Sequence, residues 1–348
     1  MPTVRAERWA VVLAGGVGSR FWPLSTPERP KQLLPLITSQ PMLRDTLDRL
    51  AAVAPALRTL VLTNASLVEA IRTALPDVPP ENVIAEPRPA GTAAALTWAA
   101  NVIARRSGRD AVIVSVHADW SIGDVGGFRQ ALIDAADAAV THRALVTVGV
   151  VPAFADTGLG YIQPGDVVHG SLRRVARFVE KPDRNRAEQL VAAGCLWNSG
   201  IFAWTAGDIL DEVTTLCPEV APALAAHGTD ASAFFGSVKS VAIDIGVLER
   251  SSRVMVIPGT FGWSDVGTWA ALRQVRERDS LGNAPVGRVL MRDARDNVVH
   301  ADGTTVVCYG VEGLVVVALN GMTLVTTVER AADLKSLVEA LPPEVRDR

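Results

Sequence analysis

Residues 9–20 read WAVVLAGGVGSR, an apolar run that ends in closely spaced glycines and one arginine. The run is typical of a buried strand, and the glycines indicate a tight loop after it. Glycines let backbone N–H groups approach a phosphate closely, and Arg20 adds a planar, permanently charged guanidinium. The stretch therefore predicts an anion-binding loop at the carboxyl end of a strand, with a tight turn alone as the alternative. Its spacing matches neither G-x-G-x-x-G nor G-x-x-x-x-G-K-S/T.

Strand and helix patterns alternate from this loop to about residue 150. Near-continuous apolar strands indicate a mostly parallel sheet, because strands covered on both faces lack polar alternation. We therefore predict an α/β, Rossmann-like fold with a mostly parallel mixed sheet flanked by helices. Strands are expected at residues 9–13, 59–62, 83–84, 111–116 and 145–150. Helices are expected from Met42, from Ser66 with Glu69 completing a capping box, after Gly91, and at residues 128–140.

The pattern changes twice further along the chain. Shorter strands at residues 172–179 and 201–204 lie among Gly- and Trp-rich turns, which is typical of additions built over a sheet. After residue 281, short β-rich runs alternate with turn residues, and Leu334, Leu337 and Val338 mark a closing amphipathic helix. These changes predict a catalytic domain over residues 1–280 and a small β module over residues 281–348.

Composition excludes several classes of protein. The 348 residues hold 34 Lys and Arg against 37 Asp and Glu, so a net charge of -3 gives no general attraction for nucleic acid or an anionic membrane. Hydrophobic residues make up 49% of the chain, which is enough for a globular core. The N-terminus lacks an apolar segment before a cleavage site, which favours a cytoplasmic location. Cys195, Cys217 and Cys308 have no metal-site spacing and are expected as buried free thiols.

The glycine loop continues into PKQLLPL at residues 30–36, where Lys31 stands between two prolines. With this continuation the sequence resembles the sugar-phosphate nucleotidylyltransferases, most closely the members that transfer GMP. The resemblance covers essentially the whole chain, in motifs that keep the family's order. They are EP at 86–87 with Thr92 and Ala93, Ala118 with Asp119, GYI at 160–162, FVEKP at 178–182, WNSGIF at 197–202, Ile243 with Asp244, and GWSDVGTW at 262–269.

The resemblance implies a fold and a reaction. The fold would be that of nucleotide-diphospho-sugar transferases, followed by a module like a left-handed β-helix. In the implied reaction, α-D-mannose 1-phosphate attacks the α-phosphorus of GTP and gives GDP-mannose and pyrophosphate, with Mg²⁺ as cofactor. The second pKa of a phosphate monoester is about 6, so the nucleophile is largely dianionic at neutral pH and needs no general base. The protein must instead align two polyanions and offset their repulsion with cations.

The resemblance also implies a role for each matched residue. The expected catalytic residues are Arg20, Lys31, Asp119, Lys181 and Asp265, of which Asp119 and Asp265 would hold the metal. The expected nucleotide-binding residues are Leu13, Ala14, Gly15, Gly16, Gly18, Ser19, Arg20, Glu86, Pro87, Thr92 and Ala93. The expected sugar-phosphate-binding residues are Gly160, Glu180, Lys181, Asn198 and Asp244.

Several of these residues have structural alternatives. Asp119 could begin a turn without binding metal. Asp265 could cap a helix that starts at Gly267, and a capping role would still allow it to bind metal. Glu180 and Lys181 would otherwise be an adjacent charged pair at a strand end. The residue pattern by itself therefore does not decide whether Asp119 and Asp265 bind a metal, whereas the resemblance favours a metal site.

One segment departs from the family pattern, because Ala90 and Gly91 stand where the family usually has Arg and Asn. Arg88 could compensate from two positions away. The departure leaves open another sugar such as a heptose 1-phosphate, another nucleotide such as dTTP or UTP, and a non-catalytic nucleotide-sugar sensor. Isomerase activity is not expected, since longer family members carry it on a further domain. Family members often form dimers, which leaves a homodimer open here.

Overall fold

The computed structural model describes residues 7–16 and 19–346. These residues form two compact units, each assembled from separate stretches of the chain. The large unit consists of residues 7–15, 47–118 and 124–263. The small unit consists of residues 16, 19–46, 119–123 and 264–346, and so joins early, central and late parts of the sequence.

The secondary structure alternates between strands and helices along most of the chain. The described strands are β1 (Arg8–Leu13), β2 (Thr59–Asn64), β3 (Val83–Glu86), β4 (Val112–His117), β5 (Ser121–Ile122), β6 (Leu145–Val150), β7 (Tyr161–His169), β8 (Leu172–Val179), β9 (Leu196–Thr205), β10 (Val254–Gly259), β11 (Trp263–Ser264), β12 (Ala284–Arg292), β13 (Val298–Tyr309), β14 (Leu314–Leu319) and β15 (Met322–Thr327). The described α-helices are α1 (Met42–Leu50), α2 (Val68–Ala74), α3 (Gly91–Ser107), α4 (Val125–His142), α5 (Arg184–Ala192), α6 (Ala206–Leu216), α7 (Ala221–His227), α8 (Ala231–Ser237), α9 (Trp269–Val275), α10 (Leu334–Ala340) and α11 (Pro343–Arg346).

The large unit is built on a nine-stranded mixed sheet with the order β3-β2-β1-β4-β9-β6-β10-β8-β7. Strands β1 to β4 pair in parallel, as do β6 and β10, whereas β9 lies antiparallel between β4 and β6. Strands β2 and β3 lie on one side of β1 and β4 lies on the other, so the strand order reverses between β1 and β4. Open α/β sheets bind ligands at the carboxyl ends of strands at such a point. The glycine loop follows β1 there, and Asp119 follows β4 by two residues.

Burial explains why the first strand is apolar throughout. Residues 9–13 are all buried, and Trp9, Val11 and Leu13 belong to a core that also includes alanines of α3. Helix α3 contacts β1, β2 and α6, and its small side chains permit a close approach of helix to sheet. A strand covered in this way has no face for polar side chains, which accounts for the continuous run.

The small unit contains a four-stranded sheet with the order β12-β13-β14-β15. Strands β12, β13 and β14 pair in parallel, and β15 is antiparallel to β14. Alternate residues Val315 and Val317 of β14 point to one face. They share an apolar cluster with residues of the N-terminal segment, namely Phe21, Trp22, Leu24, Leu34 and Leu36. The segment that carries Lys31 is therefore folded against the C-terminal β module.

The predicted fold class is confirmed, with its mixed sheet, flanking helices and separate C-terminal sheet. The strands expected at residues 145–150 and 172–179 are found with those bounds. The three cysteines are buried free thiols, as predicted. Among the described helices, none is long and apolar enough to cross a membrane, and the cytoplasmic location stays a prediction. The domain boundary near residue 280 also stays a prediction.

The capping box expected at Ser66 is wrong. Residues Ala65–Leu67 form a short 3-10 helix, and α2 begins at Val68 with no side-chain cap. Glu69 accepts a hydrogen bond from Arg72 at 2.8 Å, so its carboxylate is engaged with the next turn of its own helix. A sequence pattern cannot distinguish this i, i+3 pair from a capping box, because both need a carboxylate in the first turn.

Candidate active site

The start of the glycine loop is bonded to the neighbouring strand. The Ala14 amide donates to the Leu62 carbonyl at 2.8 Å, and the Thr63 hydroxyl donates to the Ala14 carbonyl at 3.0 Å. The Asn64 side-chain amide donates to the Gly15 carbonyl at 2.9 Å. These bonds fix the backbone direction after Leu13. Sequence analysis missed Asn64, although a polar residue at the carboxyl end of β2 is a usable signal.

Gly18 and Ser19 are the last two residues expected in the glycine loop before Arg20. Gly18 lies outside the described residues, and Ser19 begins a 3-10 helix, Ser19–Phe21. Gly16 accepts a hydrogen bond from the Gln32 side chain at 3.0 Å, which links the loop to the PKQLLPL segment within the small unit.

Glu86 lies beside the glycine loop at the end of β3. A Cβ added at Gly15 would be 3.8 Å from a carboxylate oxygen of Glu86, so the loop backbone passes close to this side chain. Glu86 is only 9% exposed, and burial raises the pKa of its carboxyl from 4.5 to about 7. An acidic group that changes charge near neutral pH thus lies where the nucleotide was expected, with Pro87 directly after it.

Replacing Glu86 with glutamine should change how protein stability depends on pH. The fold favours the protonated carboxyl, so its stabilising contribution is complete below pH 4.5, declines as the pH rises, and is lost above about pH 7. Glu86→Gln stays neutral, so its unfolding temperature should increasingly exceed that of the wild type from about pH 5 to about pH 8. Thermal unfolding across this range measures the difference, with the exposed Glu81→Gln as control. A difference that does not vary with pH would contradict the prediction.

The departures from the family pattern, Ala90 and Gly91, lie at the start of α3, and packing explains the second of them. Gly91 has φ +81°, and a Cβ there would lie 2.4 Å from the Val241 carbonyl oxygen. The Ala93 amide donates to that carbonyl at 3.2 Å, and the Thr92 hydroxyl accepts from the Ile243 amide at 2.9 Å. Glycine is therefore required because the segment before Asp244 lies against the helix start. Thr92 and Ala93, expected to bind nucleotide, are used to hold this segment.

Arg88 has a different use from the one expected. One terminal nitrogen of its guanidinium donates to the Val238 carbonyl at 2.5 Å and lies 3.3 Å from the Gly236 carbonyl, at the end of α8. Cations stabilise the carboxyl end of a helix, where carbonyls lack partners within the helix. The hypothesis that Arg88 replaces the missing family arginine at the nucleotide is therefore wrong for this structure.

The residues expected to bind the sugar lie together in the large unit. The Asn198 side-chain amide donates to Asp244 at 2.7 Å, and the Asn198 backbone amide donates to the Gly160 carbonyl at 2.8 Å. A Cβ at Gly160 would be 2.8 Å from a carboxylate oxygen of Glu180, so a larger residue would displace that side chain. Burial raises the pKa of Asp244, the Asn198 hydrogen bond opposes this, and the Glu180 charge adds to it. The cluster offers several oxygen acceptors for hydroxyl groups.

Lys181 and Asp244 occupy unusual backbone positions. Lys181 has φ +37°, a region that residues other than glycine rarely adopt, and its ammonium forms an exposed ion pair with Glu180 at 2.6 Å. Asp244 begins a single π-helical turn, Asp244–Leu248. Such turns and strained residues are frequent at functional sites.

Lys31 joins the two expected metal ligands in the small unit. Its ammonium donates to a carboxylate oxygen of Asp119 at 3.0 Å and to the main-chain carbonyl of Asp265 at 2.6 Å. The Lys31 side chain is only 6% exposed, against 32% for Asp119, and its ammonium nitrogen lies 5.8 Å from the centre of the Phe21 ring. Residues 31, 119 and 265, which are far apart in sequence, thus lie together, and their expected roles stay predictions.

The Asp265 turn is held from both sides. One carboxylate oxygen accepts from the Gly267 amide at 3.2 Å, and Arg20 lies 3.5 Å from the Gly267 carbonyl oxygen. Val266 between them has φ +47°, which is strained for a β-branched residue. The alternative that Asp265 caps the following helix is wrong: α9 begins at Trp269, and the hydroxyl of Thr268 accepts from the Ala271 amide at 3.2 Å.

A buried arginine anchors the backbone of the Lys31 segment. Arg276 is 7% exposed, and its Nε donates to the Leu36 carbonyl at 2.8 Å. A second guanidinium nitrogen lies 3.5 Å from Nδ1 of His300 on β13. Burial lowers the pKa of Arg276 to about 10, so the group stays charged at neutral pH. No motif in the sequence pointed to this residue.

Comparison of the chain with known protein families identifies the class of protein to which it belongs. The chain belongs to the nucleotidyl transferase family, whose model matches residues 9–280. Residues 287–341 match a second model, the MannoseP isomerase/GMP-like β-helix domain. The chain is therefore a nucleotidyltransferase, and its enzyme class is as predicted.

Named relatives narrow the resemblance further. A mannose-1-phosphate guanylyltransferase of Klebsiella pneumoniae is 34% identical over 97% of this chain and 74% of its own length. One from Escherichia coli K12 is 33% identical over 98% of this chain and 75% of its own length. A crystal structure from Thermus thermophilus, described as mannose-1-phosphate geranyltransferase, has a TM-score of 0.89 at 32% identity and covers 96% of this chain and 98% of its own.

Proposed function

We propose that this protein transfers GMP from GTP to α-D-mannose 1-phosphate and releases pyrophosphate, forming GDP-mannose. The observation that carries the proposal is the convergence of Lys31, Asp119 and Asp265, three residues that the family motifs place far apart in sequence. The names of the relatives, at 33% and 34% identity over nearly the whole chain, support the choice of substrates.

The residues of the large unit suit recognition of a sugar phosphate. Glu180 and Asp244 present carboxylate oxygens that can accept from sugar hydroxyls, and Asn198 can accept or donate. Lys181 supplies a positive charge next to them for the 1-phosphate. Because the phosphate oxygen is already a nucleophile, these groups bind and orient it and no residue has to remove a proton.

Asp119 and Asp265 suit Mg²⁺ as carboxylate ligands. The described residues contain no group of three or more metal-ligating side chains, so the protein supplies few ligands itself. Mg²⁺ is usually held in this way, by one or two carboxylates together with substrate phosphates and water. The metal would neutralise negative charge on the triphosphate, while Arg20 and Lys31 contribute fixed positive charge from the protein.

A screen for pyrophosphate release tests the proposal. GTP, dTTP, UTP and ATP are each combined with mannose 1-phosphate, glucose 1-phosphate or a heptose 1-phosphate in the presence of Mg²⁺. Release with GTP and mannose 1-phosphate in clear preference to the other pairs is the expected result. Preference for dTTP or UTP, or for another sugar, would overturn the assigned substrates, and no release with any pair would favour a nucleotide-sugar sensor.

A further inference from the structure

The ion pair between Lys31 and Asp119 has a consequence for metal binding. The Lys31 side chain is almost fully buried, and its ammonium donates to Oδ2 of Asp119 and to the Asp265 carbonyl at short distances. A buried ammonium requires such partners, since an unpaired charge in this position would be strongly unfavourable. Lys31 therefore already provides positive charge at the carboxylate that we assign to the metal.

A divalent cation and the Lys31 ammonium would compete for the Asp119 carboxylate. Mg²⁺ binds carboxylate oxygens at about 2.0–2.1 Å, so coordination through Oδ2 would take the atom to which Lys31 donates. Coordination through the other oxygen would still bring two positive charges close together in a partly buried site, where repulsion is strong. Metal binding at Asp119 therefore requires that Lys31 gain a different anionic partner.

A triphosphate is a suitable new partner for Lys31. Its backbone is held by Pro30 and by the Leu34 amide, which donates to the Lys31 carbonyl at 3.0 Å, whereas its long aliphatic side chain can reorient. A phosphate oxygen would satisfy the ammonium and leave Asp119 to the metal. Nucleotide and metal would thereby each improve binding of the other.

We propose that Lys31 is a built-in counter-charge that competes with divalent metal for Asp119, so that metal binds tightly only together with the nucleotide. The inference rests on the proposed function, which assigns Asp119 as a metal ligand. The alternative is that the ion pair only stabilises the fold and does not affect the metal.

Direct titration of Mn²⁺, followed by the electron paramagnetic resonance signal of the free ion, tests the inference without turnover. In the absence of nucleotide, the wild type should bind Mn²⁺ weakly, and Lys31→Met should bind it at least about tenfold more tightly. The gain should disappear in Lys31→Met/Asp119→Asn. Lys239→Met removes an exposed positive charge elsewhere and should bind as the wild type does. If Lys31→Met does not fold, Lys31→Gln removes the positive charge and keeps a polar group in the buried position, so it should still bind Mn²⁺ more tightly than the wild type.

Thermal unfolding provides a second readout. Millimolar Mn²⁺ should raise the unfolding temperature of Lys31→Met and leave that of the nucleotide-free wild type nearly unchanged. Equal Mn²⁺ affinity in wild type and Lys31→Met would overturn the inference, and the metal assignment would survive if Asp119→Asn binds the Mn²⁺–GTP complex more weakly than the wild type does. If Asp119→Asn binds the Mn²⁺–GTP complex as tightly as the wild type does, both the inference and the metal assignment fail.

Discussion

Asp265→Asn is expected to lower kcat by about a thousandfold while leaving the unfolding temperature close to that of the wild type. The amide removes the negative charge that would hold the metal. It keeps two local contacts, because Lys31 donates to the main-chain carbonyl of Asp265 and an amide oxygen can still accept from Gly267. Steady-state pyrophosphate release and thermal unfolding together measure both effects.

Asp119→Asn provides an informative comparison. It should lower kcat to a similar extent, but it should also reduce the free energy of unfolding by about 1–3 kcal/mol, because the buried Lys31 ammonium loses its charged partner. Asp293→Asn is the matched control, at an exposed position of the small unit with φ +49°. Asparagine tolerates that backbone conformation, so this variant should change neither kcat nor the free energy of unfolding. An Asp265→Asn enzyme with wild-type kcat would remove Asp265 from the metal site.

A chain that stops after residue 280 is expected to lose both activity and a cooperatively folded small unit. The deletion removes Val298, Val315, Val317, Leu324 and Leu334 from the cluster that covers Phe21, Trp22 and Leu34. Burial of these side chains contributes about 10 kcal/mol, which is comparable with the whole stability of a typical domain, about 5–15 kcal/mol. Arg276, whose guanidinium donates to the Leu36 carbonyl, would also lose its neighbour His300.

The matched control is a chain that stops after Leu341. It keeps the apolar cluster and loses the hydrogen bond from the Trp22 indole to the Arg346 carbonyl, worth about 1 kcal/mol. This control should be folded and active, and limited proteolysis should leave its residues 19–46 intact. If the shorter chain were equally resistant to proteolysis and equally active, the β module would not be needed to hold the Lys31 segment.

The local sequence predicted several strands of the large sheet, and it predicted that site residues would follow the carboxyl ends of these strands. Residues 9–13 form a continuous apolar run, residues 145–150 are apolar apart from Thr147 and Gly149, and burial on both faces favours such runs. Asp119 could be placed at the edge of the sheet because it follows one of the predicted strands. The positions of site residues along the chain were therefore readable, and the resemblance supplied their roles.

Contacts that depend on a particular partner, most of them between distant segments, could not be predicted from the sequence in this way. The need for glycine at position 91 depends on the Val241 carbonyl, from a segment far along the chain. Arg276 resembles any helix-end arginine until the fold places the Leu36 carbonyl beside it. Glu69 satisfied the capping pattern but pairs with Arg72, because two local arrangements compete for one carboxylate. In each case the deciding partner is a backbone group or a neighbour that residue type alone does not specify.

The small unit is assembled from stretches that are far apart in sequence, and this order affects how the protein folds during its synthesis. Residues 19–46 leave the ribosome early, but most of their apolar partners lie in residues 264–346, which are made much later. At about 5–20 residues per second, Phe21, Trp22 and Leu34 wait on the order of ten to sixty seconds before they can be covered. During that interval the nascent chain exposes an aromatic segment to which chaperones can bind. Lower growth temperatures or added chaperones should therefore raise the yield of this protein more than that of a chain whose core is built from consecutive residues.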